Sequence, residues 1–239
     1  MAKFEKVNLL NYPIFFMTRE TKCPYINNKS EKRLVTDLNN NPFLFDELSL
    51  SGFRRIENWM YRPSCSHCNE CKSYRVNINQ FSLTKSLKRI KKNNSEISTS
   101  LKKNLASEEY FDLFSTYQQK RHTGGSMSNM TFEDFKSMIE SSPINTQLCE
   151  FRNKEKKLIG LMLFDHQKDG LSAVYSFYDV KFEKSGLGNF MILELIELAK
   201  KLALDYVSLG YYIKNAPRMN YKLKFKEGEL YSDGKWTKT

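Results

Sequence analysis

The stretch that decides the fold runs from residue 171 to residue 212 and reads LSAVYSFYDVKFEKSGLGNFMILELIELAKKLALDYVSLGYY. Its apolar and turn-forming residues predict a strand, a loop that contains glycine, a helix and a second strand. The expected bounds are Leu171–Tyr178, Glu183–Asn189, Phe190–Leu202 and Tyr206–Tyr212. Backbone N–H groups at the start of a helix point toward an anion, so the loop is a candidate phosphate site.

Two strands and two helices are expected before this stretch. Thr146–Phe151 and Leu158–Phe164 read as strands on either side of a polar turn. Glu108–Arg121 repeats apolar residues at helical spacing behind Ser107, an N-cap residue, and a second helix should follow Thr131. This order of elements resembles the acyl-carrier-binding core of the N-acetyltransferase (GNAT) fold. We therefore expect an α+β fold with a GNAT-like C-terminal domain.

At 239 residues the chain is long enough for one large domain or two small ones, and length alone does not decide between them. Residues 1–104 would form a smaller, cysteine-bearing α+β domain that is rich in turns, aromatic residues and arginine. Residues 105–239 would form the GNAT-like domain. The segment Lys85–Asn104 is polar, basic and free of aromatic residues, so it reads as the connection between them.

The positive charge is concentrated in one part of the chain. The net charge is +11, and Gly52–Lys103 carries twelve Lys or Arg against three acidic residues. Such a concentration indicates contact with phosphates, although a solvated basic face is the alternative interpretation. The sign of the charge does not separate DNA, RNA and an anionic membrane.

Four of the five cysteines suggest a metal or cluster site. The run CSHCNEC places cysteines at two-residue spacing, which lets successive thiolates converge on one ion, and T-K-C-P-Y presents another beside a proline. The expected ligands are Cys23, Cys65, Cys68 and Cys71, for zinc or an iron–sulfur cluster. His67 is an alternative ligand, and metal-free reduced thiols are the alternative state. Cys149 stands alone in a predicted strand and reads as a buried structural thiol.

No segment has the pattern of a membrane span or a signal peptide. The longest apolar run is Leu158–Phe164, well short of the roughly 20 residues that cross a bilayer. The N-terminal sequence MAKFEKVNLLNYPIFFMTRE is interrupted by Asn11 and Pro13 and has no small-residue cleavage site. We therefore expect a cytoplasmic protein without a membrane partner.

A series of short motifs carries a specific resemblance. In chain order they are CPYI (23–26), SGFRR (51–55), YRPxCxxCxxC (61–71), KRH (120–122), GGxM (124–127), VYSFYD (174–179), GLGNFMIL (186–193), LGYYI (209–213) and MNYKLKF (219–225). Together they resemble the compact bacterial branch of the arginyl-tRNA–protein transferase family, whose members transfer leucine to N-terminal aspartate or glutamate.

The resemblance implies an aminoacyltransferase that moves leucine from Leu-tRNA to the N-terminal Asp or Glu of an acceptor protein, creating a signal for degradation under the N-end rule. Its partners would be charged tRNA and the acceptor protein, and it would act as a monomer without coenzyme A. The glycine loop would hold the 3′ end of the tRNA. Ser185–Gly186 departs from the family pattern of a basic residue followed by serine, whereas Gly188 matches.

The reaction itself limits which residues are needed. An α-amine with a pKa of roughly 7.7–8.0 attacks an ester that is already activated, so positioning and oxyanion stabilisation should dominate. The catalytic candidates are Tyr175, Tyr178 and Asp179, around the end of the predicted strand. Tyr175 and Tyr178 should lie on opposite faces of that strand. The alternatives are core packing for the tyrosines and a turn residue for Asp179.

The acceptor carboxylate needs a cation, ideally a guanidinium. The candidates are Arg54, Arg55, Arg62 and His122. Neighbours on a strand or helix point apart, so either Arg54 or Arg55 can contact tRNA instead, and His122 can be purely structural. The candidates for tRNA contact are Gly188, Asn189, Arg218, Lys222, Lys88 and Arg89, with a solvated face as the alternative for Arg218 and Lys222.

Three other functions remain open at this point. An arginyl transferase of the same family would differ only in the donated residue. A CoA-dependent acetyltransferase would share the fold, but its loop carries Gln or Arg where this chain has Glu183. A non-catalytic zinc module that binds RNA would explain the cysteines and the basic stretch but not the C-terminal half.

Overall fold

A computed structural model describes residues 13–125 and 127–239 of the chain. The first twelve residues, on which part of the signal-peptide expectation rests, lie outside the described residues. In the part of the chain that the structure describes, no helix combines the length and apolar character needed to cross a membrane.

The strands form a four-stranded sheet, an eight-stranded sheet and a short two-stranded pair. In chain order they are β1 (Phe15–Met17), β2 (Thr21–Lys22), β3 (Ser30–Glu31), β4 (Arg33–Asp37), β5 (Arg54–Ile56), β6 (Trp59–Pro63), β7 (Lys72–Asn77), β8 (Ser98–Lys103), β9 (Thr146–Arg152), β10 (Leu158–His166), β11 (Gly170–Tyr178), β12 (Tyr206–Tyr212), β13 (Gly228–Ser232) and β14 (Lys235–Lys238). The α-helices are α1 (Phe45–Leu50), α2 (Lys85–Asn93), α3 (Glu108–Arg121), α4 (Phe132–Glu140) and α5 (Leu187–Lys201). Short 3₁₀ helices span Pro42–Leu44, Val180–Phe182 and Pro217–Lys224.

The eight-stranded sheet has the order β14-β13-β7-β12-β11-β10-β9-β8. β11 and β12 run parallel, joined by the crossover helix α5, while the other neighbours are antiparallel. The parallel ladder covers Gly170–Ser172 against Tyr206–Ser208. Beyond it, the register of β12 shifts between Ser208 and Gly210. The sheet therefore has a gap between β11 and β12 near its middle.

This topology confirms the expected α+β, GNAT-like C-terminal half. The strand Tyr206–Tyr212 and the helix Glu108–Arg121 have the bounds that their patterns predict. Ser107 caps α3 by accepting a hydrogen bond from the Tyr110 N–H at 3.3 Å. Thr131 begins α4 with a capping box, which satisfies two N–H groups that would otherwise have no partner in the first turn.

The main core lies between the large sheet and the helices that cover it. Every residue of β10 from Leu158 to Asp165 is buried, which explains the uninterrupted apolar run in the sequence. Phe114 of α3 packs edge-on against Phe177 of β11, with ring centroids 5.4 Å apart. Cys149 is buried in β9, as expected for a structural thiol. Burial of each such large side chain contributes about 1.5–3 kcal/mol.

The expectation that Lys85–Asn104 is a connection was wrong, because this segment forms α2 and β8. Thr84 caps α2 by accepting a hydrogen bond from the Leu87 N–H at 3.3 Å, and Leu87 and Ile90 bury one side of the helix. β8 is an edge strand with every side chain exposed, so backbone pairing with β9 holds it and no apolar pattern reveals it.

The large sheet extends across the expected boundary at 104/105. β7 and β8 precede residue 105 but belong to the same sheet as β9 to β12. The division at 104/105 therefore does not follow an edge of this sheet, and as a domain boundary it stays a prediction.

Candidate active site in the gap between β11 and β12

Arg54 of β5 reaches into the gap between the two parallel strands. Its Nη2 donates a hydrogen bond to the carbonyl oxygen of Ala173 on β11, at 2.6 Å. On the other side it meets Gly210 of β12, where a methyl group would lie 3.0 Å from Arg54 Cζ. Gly210 also has a φ of +80°, which side chains disfavour. Glycine is therefore needed at this position for the guanidinium to fit.

The second terminal nitrogen of Arg54 has no hydrogen-bond partner among the described residues. Nη1 is buried, and within residues 13–125 and 127–239 it donates no hydrogen bond. A buried donor without an acceptor costs about 1–3 kcal/mol, and more when it is charged. Such a group is rare in native structures and calls for an explanation. A ligand that carries an acceptor, such as a carboxylate, would satisfy it.

Lys222 lies beside Arg54 and does not face solvent. The residue is 3% exposed, and its Nζ donates to the carbonyl oxygen of Tyr211 on β12. Burial, and then the positive charge of Arg54, lower the pKa of Lys222 to about 7. The expected contact of Lys222 with tRNA phosphates is therefore wrong for this arrangement, because a buried amine cannot meet an acceptor stem.

Arg55 points the other way and is structural, contrary to the expectation that it is a candidate for binding the acceptor carboxylate. Its Nε and Nη2 bind the two carboxylate oxygens of Asp165 on β10, each at 2.7 Å. Nη1 donates to the carbonyl oxygens of Glu57 at 2.7 Å and Ser141 at 3.3 Å. The guanidinium is thus fully engaged. Arg55 cannot also hold an acceptor carboxylate, because strand alternation turned it toward the interior.

Arg62 and His122 are less suitable than Arg54 for holding a carboxylate. Arg62 donates to the carbonyl oxygen of Ser51 at 3.1 Å and lies over the Phe53 ring at 4.9 Å. Partial burial, followed by the charges of Arg218 and Arg121, lowers the pKa of His122. A histidine with a lowered pKa is neutral at pH 7 and offers no full charge to a carboxylate.

The two tyrosines of β11 have different surroundings. The hydroxyl of Tyr175 accepts a hydrogen bond from Gln118 Nε2 of α3 at 2.6 Å. The Tyr178 ring packs against Tyr117 at 5.3 Å between centroids and lies beside Gly188 of α5. Burial raises the pKa of both hydroxyls, so both remain protonated and can donate hydrogen bonds at neutral pH. Their catalytic roles stay predictions.

Asp179 occupies a turn. Its carboxylate Oδ1 accepts a hydrogen bond from the Lys181 N–H at 3.1 Å and caps the 3₁₀ helix Val180–Phe182. This is the structural role that was the alternative to proton transfer. The proposed handling of the incoming ammonium by Asp179 stays a prediction.

The glycine loop is shorter than its sequence pattern suggests. α5 begins at Leu187, so Gly188 and Asn189 lie in its first turn, and Gly186 is the N-cap with a φ of +78°. The side chain of Asn94, at the end of α2, donates to the Ser185 carbonyl and accepts from the Ser185 hydroxyl, both at 2.9 Å. The buried Asn94 therefore ties the basic helix to the start of α5.

The exposed side of α2 carries positive charge toward this junction. Lys88 and Arg89 are exposed, as the expectation of tRNA contact requires, and Lys85 and Lys92 are exposed beside them. The helix is therefore a cationic surface that leads to the N-terminus of α5, where Tyr178 also lies.

The four N-terminal cysteines line one cavity. Cys23, Cys65, Cys68 and Cys71 surround it together with Tyr61 and Tyr211. Burial, and then the neighbouring thiols, raise the pKa of Cys71 to about 12. Four sulfur donors fit the chemistry of zinc or an iron–sulfur cluster. In the described part of the chain, however, no three His, Cys, Asp or Glu side chains stand close enough together to hold an ion.

Sequence reasoning missed three contributors to this site: Gly210, the Tyr211 carbonyl and Gln118. Gly210 had a readable signal, because a glycine inside a predicted strand often marks a close approach of another group. The Tyr211 hydroxyl donates to the carbonyl oxygens of Tyr61 at 2.9 Å and Gly52 at 3.1 Å, which fixes this part of β12. These contacts join distant segments and leave no local pattern.

Two solved structures are similar to the chain at a low level. L-PGS from Bacillus licheniformis has a TM-score of 0.46 and 11% identity, over 73% of this chain and 50% of that one. A fungal multi-domain beta-N-acetylglucosaminidase with a GCN5-related glucosamine N-acetyltransferase region has a TM-score of 0.42 and 8% identity, over 80% of this chain and 22% of that one. Both TM-scores are below 0.5, too low to support a conclusion about this chain.

Curated sequences give a much closer match. The aspartate/glutamate leucyltransferase of Paramagnetospirillum magneticum is 39% identical over 93% of this chain and 92% of that protein. The proteins of the same name from Dinoroseobacter shibae and Ruegeria pomeroyi are 37% and 38% identical, each over 94% of this chain and 83% of the relative.

The family comparison covers most of the described chain. Residues 21–89 match the N terminus of arginine-tRNA-protein transferase, and residues 109–232 match its C terminus. The first segment contains the four N-terminal cysteines and Arg54, and the second contains Gly210 and Lys222. With the parallel-strand gap and its cationic lining, these matches show that the chain belongs to the arginine-tRNA-protein transferase family.

Proposed function

We propose that this protein transfers leucine from Leu-tRNA to the N-terminal aspartate or glutamate of acceptor proteins, which marks them for degradation. The observation that carries the proposal is the unpartnered, buried Nη1 of Arg54 in the gap between β11 and β12. A carboxylate bound there would complete the hydrogen bonding of the guanidinium, and an asparagine or glutamine side chain would do so without compensating its charge.

For the acceptor amine, correct placement next to the ester matters more than removal of its proton by a base. About a tenth or more of an α-amine with a pKa of roughly 7.7–8.0 is neutral at pH 7, so deprotonation costs only about 1 kcal/mol. Binding the side-chain carboxylate at Arg54 would hold the adjacent amine in the gap beside Ala173 of β11. The protonated hydroxyls of Tyr175 and Tyr178, further along β11, are the candidates for stabilising the oxyanion that forms on the ester carbonyl.

The tRNA would approach along α2. Its exposed cations Lys88 and Arg89 are suited to phosphates, and Asn94 connects the end of this helix to the first turn of α5. Arg218 is a second candidate for contact with the acceptor stem. Charged tRNA and reduced thiols both belong to the cytoplasm, which is where we place the reaction, carried out by a monomer without a membrane.

Coenzyme A has no role in this proposal. In a GNAT acetyltransferase the loop before the helix is suited to a pyrophosphate. Here the carboxylate of Glu183 stands at that loop, paired with Arg121. Even when paired with Arg121, an acidic side chain at this point makes the loop less suited to a pyrophosphate. The terminal nucleoside of a charged tRNA brings one phosphodiester charge, so it meets less repulsion than a pyrophosphate.

The cysteine cavity would serve as a structural thiolate site. Cys23, Cys65, Cys68 and Cys71 would hold zinc or an iron–sulfur cluster, and small movements of the loops would bring their sulfurs into range. The cavity shares Tyr211 with the active-site gap. A group bound there would therefore stabilise the strand whose carbonyl holds Lys222.

A transfer assay tests the proposal. Purified protein is incubated with labelled Leu-tRNA or Arg-tRNA and with peptides that differ only in an N-terminal Asp, Glu, Asn or Gln. Labelled leucine should enter the Asp and Glu peptides. Arg54→Met should abolish the preference for Asp over Asn, and the exposed Arg19→Met serves as the matched control. Absence of label in the acidic peptides with either tRNA would refute the proposal.

A further inference from the structure

The gap between β11 and β12 contains a second basic side chain besides Arg54. Lys222 Nζ donates to the Tyr211 carbonyl, one residue after the glycine against which the Arg54 guanidinium rests. Arg54 and Lys222 therefore flank consecutive peptide units of β12. Among the described residues, neither forms an ion pair with a carboxylate.

Two unpaired basic groups in a buried site are electrostatically unfavourable. A buried amine relieves the repulsion by releasing its proton, whereas a guanidinium remains charged. The charged group that acts on Lys222 is Arg54 on β5. Its other neighbours are the Tyr211 carbonyl on β12 and the Tyr221 ring on its own 3₁₀ helix, 5.7 Å from Nζ. None of these neighbours supplies a negative charge at neutral pH.

We propose that Lys222 is a specificity-determining residue that takes up a proton when an acidic acceptor side chain binds, forming with Arg54 a two-cation subsite for one carboxylate. The inference rests on the proposed function and deepens it. In the empty site Lys222 is largely neutral above pH 7, because burial and Arg54 lower its pKa to about 7. A bound carboxylate raises the pKa of Lys222 again and favours its protonated form.

The geometry favours a small carboxylate over a tRNA phosphate as the occupant. Lys222 is 3% exposed, and the free nitrogen of Arg54 is buried as well. A side-chain carboxylate can enter such a narrow gap while the rest of the peptide stays outside. A phosphodiester would have to bring its two flanking sugars with it.

The sign of the pH effect follows from linkage. Below pH 7 Lys222 is already protonated, so binding of an acidic peptide is accompanied by little proton uptake. Above pH 7 binding requires a proton, and the Kd of an acidic peptide should rise by up to about tenfold per pH unit until the bound-state pKa is reached. A peptide that starts with asparagine has an α-amine but no carboxylate in its first side chain. Its Kd should therefore not show the rise with pH that comes from protonation of Lys222.

Isothermal titration calorimetry provides the test. Binding of matched Asp- and Asn-starting peptides is measured at pH 8.5 in buffers of different ionisation enthalpy, which gives the number of protons taken up. We expect the Asp peptide to take up close to one proton more than the Asn peptide. This difference should vanish in Lys222→Met and in Lys222→Arg, and persist in the exposed control Lys224→Met.

Lys222→Arg is included as a safeguard against a failure of Lys222→Met to fold. It keeps a cation at this position, so it should retain the Asp preference without proton uptake. Equal uptake for both peptides by the wild-type protein would overturn the proposal. Weaker Leu-tRNA binding in Lys222→Met, with the uptake difference unchanged, would assign Lys222 to the tRNA instead. Proton-linked binding without leucine transfer would leave the subsite standing and refute only the proposed function.

Discussion

Replacing Arg55 should destabilise the fold far more than replacing its neighbour Arg54. Arg55 and Asp165 form a bidentate pair whose side chains are each 1% exposed. Arg55→Met would leave the Asp165 carboxylate buried, with Thr146 as its remaining hydrogen-bond donor at 2.7 Å. Arg54→Met would remove a guanidinium that, among the described residues, makes one hydrogen bond and has an unsatisfied nitrogen.

The expected losses in the free energy of unfolding differ several-fold between the two variants. Removing one partner of a buried ion pair costs about 3–5 kcal/mol, because the remaining charge has lost its compensation. Loss of the single bond from Arg54 to Ala173 should cost about 1 kcal/mol. Since a domain is stable by only about 5–15 kcal/mol, the first change removes a large part of the total.

Urea unfolding at pH 7, followed by circular dichroism, measures both effects. Arg55→Met should lower the unfolding midpoint by more than about 1 M and Arg54→Met by much less. The double variant Arg55→Met with Asp165→Leu should recover most of the loss, because apolar residues often replace a buried pair without cost. Similar midpoints for the two single variants would refute the structural role of Arg55.

Three further predictions concern the gap, the basic helix and the cysteines. Gly210→Ala should cost about 1–2 kcal/mol because of its left-handed backbone, and should reduce the preference for Asp over Asn peptides by displacing Arg54; an unchanged preference would contradict the contact. Lys88→Glu with Arg89→Glu should weaken Leu-tRNA binding about tenfold or more in 100 mM salt and flatten its salt dependence, measured by filter binding; unchanged affinity would remove α2 from the interface. Anaerobically purified protein should contain zinc or iron by elemental analysis, with a visible absorbance band only for a cluster, and Cys71→Ser should lower that content; metal-free protein of full stability would exclude the site.

The sequence was sufficient for elements that have their own periodicity or caps. β12 and α3 agree with their patterns because each buries one set of regularly spaced apolar residues. β8 was missed because an exposed edge strand is held by backbone pairing, which leaves no side-chain signature. α2 was missed for a related reason, since only Leu87 and Ile90 among its nine residues are buried.

The site was predictable only as a set of candidates. Alternation along a strand implied that Arg54 and Arg55 point apart, but which one faces the gap depends on the position of Asp165, 110 residues away. Lys222 stands among exposed residues in a basic run, so its sequence resembles that of a solvated lysine. Its burial comes from the 3₁₀ helix folding back onto β12, which is a tertiary effect.

Arg54 and Arg55 together explain how the fold keeps a buried site whose basic side chains have no acidic partner in the described part of the chain. Arg55 fixes β5 to β10 through Asp165, and this contact helps to hold the adjacent Arg54 in the gap, where Arg54 itself donates a hydrogen bond to Ala173. Arg54 and Lys222 therefore do not need a carboxylate of the protein to hold them in place. A permanent acidic partner would stabilise the gap but would compete with the acceptor. Because Arg55 supplies much of the anchoring, the fold tolerates an unpaired guanidinium beside a largely neutral lysine, and the acidic acceptor compensates both groups when it binds.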